Sequence, residues 1–165
     1  MPKTPTLYLE RANVEHAAVL GQFDRLFGGR KLKGRDYRDM LLSPTIEIYF
    51  LRDSKYAIHG VAVVLCDKLP SKAVIRRFCR LIDNSEGAVI PLLISRITSA
   101  KPTAFSIVVS EDLDWLVKVL TANNFRATRL FKDEFTEDGR QVDGIHFLRL
   151  PPRTRRKSSP AESKG

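Results

Sequence analysis

Between residues 104 and 120 the chain changes its hydrophobic period. The run AFSIVVS (104–110) is a compact, β-branched strand. Leu113, Leu116, Val117 and Leu120 then stand at i, i+3, i+4 and i+7, which is one face of an amphipathic helix. Ser110 is placed to cap that helix, and Glu111, Asp112 and Asp114 complement the positive end of its dipole. The same alternation extends over most of the chain.

TLYLERA (6–12) reads as a short strand. Asn13 caps a helix carrying Ala17, Leu20, Phe23 and Phe27 on or near one face, and Gly28-Gly29 ends it. KGRDYRDMLLS (33–43) is a short second helix stopped by Pro44. IEIYFLRD and AIHGVAVVLCD form a hairpin around the polar turn DSKY, and KAVIRRFCRLI (72–82) is a third central strand. RATRLFKDEF, the turn TEDGRQ and VDGIHFLRL close the fold as a second hairpin. The order β α α β β β α β α β β predicts an α/β (α+β) fold, a mixed central sheet of about seven strands flanked by about four helices. Residues 1–150 make one domain, and the proline-, serine- and charge-rich tail 151–165 has nothing with which to build a core and is expected to be disordered.

Net charge is +9. Arg153, Arg155, Arg156, Lys157 and Lys164 against Glu162 account for +4 of it in the tail, which leaves +5 on the body. Such a body favours acidic partners, namely nucleic acid, a phosphorylated cofactor or an acidic protein; plain solubility is the bland alternative. Cys66 and Cys79 sit in apolar runs and suit neither a disulfide framework nor a zinc site, so buried thiols in a reducing cytoplasm are expected. His16, His59 and His146 are too scattered to propose metal ligation. No run resembles a signal peptide or spans a membrane, and the chain reads as soluble and cytoplasmic.

LIDNSEGAVIPLLISRI (81–97) joins a strand to a helix through a small polar turn with one glycine. A helix N-terminus offers unpaired N–H donors and a positive dipole end, which suits an anion. Pro91 is harmless only in a first turn, so the helix is expected to start near Gly87–Ala88 and to present the N–H groups of Gly87, Ala88, Val89 and Ile90. Glu86 opposes an anion there and can itself satisfy the dipole.

The order of elements from Tyr8 to Leu150 resembles the GNAT-type N-acetyltransferase superfamily, above all in the strand, amphipathic helix, Asn124-Phe125 turn and final hairpin of residues 104–150. Asn124-Phe125 stands where that family usually has Gly-Phe. The resemblance implies two splayed central strands and an acetyl-CoA co-substrate. Leu81, Asn84, Ser85, Gly87 and Ala88 would hold it, with the pyrophosphate on the turn. Asn84 replaces the family's Gln or Arg, and Val89 replaces its final small residue. The acceptor is an amine on a small molecule or protein. Leu120 falls where the family often has an acidic tyrosine, and it cannot donate a proton.

Candidate bases are Glu47 and Glu111; Glu47 sits in the polar phase of IEIYF, which points it toward solvent, and His146 is more simply a strand histidine. In the resembled fold the cluster GGRKLKGRDYR lies over the acceptor groove. Arg30, Lys31, Lys33, Arg35 and Arg38, with Tyr37 interleaved, would make a basic rim. The departures at Glu86, Val89 and Leu120 also fit a second reading. In it, a catalytically degraded protein of this fold binds an acidic protein or nucleic acid through its basic loop and tail.

Overall fold

The computed structural model describes residues 5–26, 34–83 and 89–153, the side chains of residues 23–26 and 34–35 excepted. Seven strands form one mixed sheet in the order β1-β2-β3-β4-β5-β7-β6. The strands are β1 (Tyr8–Arg11), β2 (Ile46–Arg52), β3 (Ile58–Lys68), β4 (Val74–Asp83), β5 (Ala104–Ser110), β6 (Arg126–Glu137) and β7 (Arg140–Arg149). The four helices are α1 (Ala17–Leu26), α2 (Gly34–Leu42), α3 (Ile90–Ala100) and α4 (Asp114–Ala122). This is the element order read from the sequence.

The helices divide between the two faces. One apolar cluster joins Leu93, Ile94 and Ile97 of α3 and Leu116 and Leu120 of α4 to Tyr49, Val64, Phe78, Phe105 and Ile107 on the sheet. The other joins Ala17, Leu20 and Tyr37 to Ile48, Phe50, Val61, Val63 and Ile82. With both faces covered, the middle of β2 is buried throughout, so alternation loses its meaning there. Tyr37 is fully buried in this second cluster, which corrects its expected place on a basic rim.

Local chemistry fixes the corners. Asn13 accepts the Glu15 N–H at 3.0 Å, and His16 Nδ1 accepts the Asn13 N–H at 3.0 Å; this capping box opens a short 3-10 turn that leads into α1. Asn124 has φ of 65°, a left-handed conformation that asparagine tolerates, which explains why it can stand where a glycine would. Asp138 (φ 50°) and Gly139 (φ 74°) make the two-residue turn of the β6–β7 hairpin. The cap of α4 differs from expectation. The helix starts at Asp114 behind Leu113, and buried Ser110 instead accepts the Asp112 N–H in the preceding turn, at 3.4 Å. Among the described residues no helix is long and apolar enough to cross a membrane, and no cluster of three metal-ligating side chains occurs.

Candidate functional site

The site arises where two parallel strands part. β4 and β5 pair only at Ile75↔Ala104, Arg76↔Phe105 and Arg77↔Ser106. One residue later, β4 carries a bulge against β3: Val64 faces Phe78 and Val63 faces Arg80, which leaves Cys79 as the extra residue. A bulge bends its strand and increases the local twist. The bend turns Phe78–Asp83 away from Ile107–Ser110, and the edges that would have paired face each other across a gap.

That gap is a cleft of about 200 Å³. Phe78, Leu81, Ile107 and Val109 line its inner side, with Leu113 and Leu116 from the α4 region beneath. Cys79, Val108 and Ser110 open toward the opposite face of the sheet, where Phe135 and Glu137 of β6 form a wall. The β6–β7 hairpin is tied there by Arg140, whose Nη2 donates to Asp112 Oδ2 at 2.7 Å. The site therefore combines an apolar slot, two strand edges that do not pair with each other, and a half-buried carboxylate at its rim.

The closed end of the same strand pair is built differently. Arg76 Nε and Nη2 donate to Glu47 at 3.1 and 3.3 Å, and Arg76 Nη1 donates to Thr103 Oγ1 at 2.8 Å. The Tyr49 hydroxyl donates to Glu47 Oε2 at 2.7 Å, and Arg11 Nη1 stands 3.9 Å from Oε1. Burial pushes the Glu47 carboxyl up, but the hydrogen bonds of Arg76 and Tyr49 and the charges of Arg76 and Arg11 outweigh it and hold the group below its ordinary range. Burial and the neighbouring carboxylate push Tyr49 up.

Glu47 is thus 7% exposed, not solvent-facing as its place in the alternation suggested. It braces the end of the strands away from the cleft and is not among the cleft-lining residues. A carboxylate held below its ordinary range is poorly matched to general-base work near neutrality. Glu111 is exposed in the turn after β5, and its N–H donates to the Asp143 carbonyl at 3.0 Å. Cys79 is exposed rather than buried, because it shares the strand phase of exposed Arg77, opposite buried Phe78; burial and the Glu47 charge push the half-buried Cys66 thiol up.

Leu81 lines the cleft. Asn84, Ser85, Gly87 and Ala88 lie outside the described residues, as do Arg30, Lys31 and Lys33. Arg35 falls within α2 and Arg38 is exposed on it. The start of α3 corrects the expected amide cradle: the helix begins at Ile90, with Pro91 in its first turn, and the Val89 N–H donates to Asp83 Oδ2 at 3.3 Å. A carboxylate at the end of β4 holds one of the amides assigned to an anion. Sequence reasoning missed Asp83, Phe135 and Glu137. The Asp138-Gly139 turn was the available signal for Glu137, since it sets that residue at the tip of a strand opposite Arg140.

No protein-family model matches the sequence, and no curated protein matches it. Solved structures do. NAA60 of Arabidopsis thaliana in complex with acetyl-CoA is 12% identical with a TM-score of 0.66, over 88% of this chain and 98% of that one. An acetyltransferase of the GNAT family from Streptococcus pneumoniae is 13% identical with a TM-score of 0.69, over 89% of this chain and 100% of that one. A spermidine N-acetyltransferase chimera from Vibrio cholerae and hSSAT is 14% identical with a TM-score of 0.70, over 87% and 95% of the two chains. At these identities the likeness shows the fold: the chain has the GNAT-type N-acetyltransferase fold.

Proposed function

We propose that this chain is an acetyl-CoA-dependent N-acetyltransferase that acts on an amine acceptor. The observation that carries the reading is the parting of β4 and β5 after three paired residues, which opens an apolar slot between two strand edges that no longer pair with each other. The fold neighbours support it, since one is solved with acetyl-CoA and another is a spermidine N-acetyltransferase.

The residues fit an acyl-pantetheine chain. The edge of Phe78–Leu81 supplies backbone donors and acceptors for its amides, and Ile107, Leu113 and Leu116 supply apolar contact. Residues 84–88 follow directly and would face the pyrophosphate, with Asn84, Ser85, Gly87 and Ala88 as its candidate donors. Glu137 is the carboxylate at the rim where an acceptor approaches. It would take the ammonium proton; the amine nitrogen then bonds to the acetyl carbonyl carbon, the carbon–sulfur bond breaks, and the departing thiolate takes a proton from solvent. Buried Leu120 offers no proton, so holding the two reactants together supplies much of the acceleration. Glu111, next in the chain to Ser110, is the second candidate carboxylate.

The test is release of free CoA thiol from acetyl-CoA in the presence of spermidine or a pool of short peptides with free N-termini, with the acetylated product read by mass. Glu137→Gln should lower kcat about 100-fold, the scale of one positioned acid–base group. No thiol release above the rate without protein, across both acceptor classes, would overturn the proposal.

A further inference from the structure

The helices α1 and α2 cover only part of their face of the sheet. The apolar cluster beneath them ends at Ile82 of β4, and among the described residues no helix packs on this face over β5, β7 or β6. Strand register sets what that open face presents. Arg77, Ser106, Leu148 and Arg126 form one row across β4, β5, β7 and β6, with Ser106 buried between its neighbours. Val108, His146 and Arg129 form the next row. The row places exposed Arg77 and Arg126 three strand spacings apart, about 14 Å.

At the β6 side the Arg129 guanidinium lies 5.0 Å from the centre of the Phe131 ring, and Phe131 meets His146 edge-on at 6.3 Å. Thr128 Oγ1 holds His146 Nδ1 at 2.5 Å. Burial and then Arg129 lower the His146 imidazole's affinity for protons, so the positive charge of this face is carried by guanidinium groups. Arg153 stands beside Arg126 where the chain leaves β7, and the basic residues Arg155, Arg156 and Lys157 follow in sequence. Of the acids of this face, Asp67 is at the end of β3 and Glu137 toward the hairpin tip, while Glu134 lies beside Gly144, one row from His146.

We propose that this open sheet face binds single-stranded nucleic acid, with phosphates on Arg77, Arg126 and Arg129 and bases against the Arg129–Phe131–His146 group. The rings and guanidinium planes of this face suit splayed bases that can stack on them, which a duplex keeps stacked inside its own helix. An acidic peptide would use the charges and leave the rings idle. The inference does not depend on the acyl-transfer reading, because the binding needs no acetyl-CoA.

The experiment is fluorescence anisotropy of a labelled oligouridylate of about 16 nucleotides, titrated with the full chain at several salt concentrations. Binding should weaken steeply with salt. Replacing Arg126 and Arg129 together by alanine should cut the slope of log K against log salt by about 1.4, two phosphate contacts at about 0.7 each. Phe131→Leu should weaken binding about tenfold and leave the slope unchanged, as loss of one stacked base would. Circular dichroism melts check that each variant is folded. Absence of binding at about 100 micromolar protein, where even weak non-specific binders are about half-saturated, would overturn the proposal. So would equal affinity for polyglutamate, which would assign the face to acidic protein. It would also fail if neutralising Arg155, Arg156 and Lys157 removed all binding while the Arg126 and Arg129 substitutions were silent.

Discussion

The two ends of the β4–β5 pair use the same strands for opposite purposes. At the closed end, Arg76 reaches from β4 to Glu47 on β2 and to Thr103 ahead of β5, and three residue pairs keep register. At the open end, a one-residue bulge at Cys79 ends the pairing and leaves a cleft. The lesson is a division of labour. Buried charge fixes where the strands must meet, so that they can part beyond it.

Breaking the closed end should cost the most stability. Glu47→Gln leaves the Arg76 guanidinium without its counter-charge and should lower unfolding free energy by about 3 kcal/mol, read by denaturant melts. Its pH dependence has a definite sign. Because the folded carboxyl is held below its ordinary 4.5, its stabilisation is present above that pH and fades as pH falls through the folded value. The wild type should therefore lose stability below pH 4.5 more steeply than the Gln variant. Equal acid slopes would remove Glu47 from the brace.

Filling the open end should do the reverse. Cys79→Trp places an indole in the cleft and should reduce acetyl-CoA affinity about 100-fold, roughly 2.7 kcal/mol, with little change in melting temperature. A large loss of stability with binding retained would mean that the cleft is only a packing gap.

The seat of α3 connects both ends. A Cβ at Gly60 would stand 2.6 Å from Val89 Cγ1, 2.9 Å from Leu93 Cδ1 and 3.2 Å from the Ile82 carbonyl oxygen. Gly60→Ala should cost about 2 kcal/mol by overpacking, and it should weaken acetyl-CoA binding as well if the start of α3 faces the ligand. Binding unchanged in the folded variant would separate the helix from the site.

The smallest effect is expected at Asp83. Asp83→Asn keeps an acceptor for the Val89 N–H and removes a negative charge beside the expected pyrophosphate position. It should tighten acetyl-CoA binding about fivefold, the scale of one like-charge repulsion near 4 Å in water. Weaker binding would instead assign Asp83 an essential cap.

The fold was legible because its signals are local. The 3.6-residue stripe of α4, the Asn13 cap and the Asn124 turn each act within a few residues of chain. The site was less legible because its determinants are remote. Glu47 and Arg76 are 29 positions apart, and with both faces of β2 covered a buried carboxylate looks like a polar position in an alternating strand. The bulge at Cys79 has no sequence mark, and the exposure of that thiol depends on which face of the sheet is left open, which its apolar neighbours do not reveal. Pro91 indicated a helix start, but the helix begins at Ile90, and Asp83 supplies the contact that the sequence left open.

Calorimetric titration of the full chain and of Cys79→Trp with acetyl-CoA tests the central claim most directly. The account predicts micromolar binding to the wild type and near-complete loss in the variant. No heat of binding to the wild type at high ligand concentration, or equal affinity in both proteins, would contradict it.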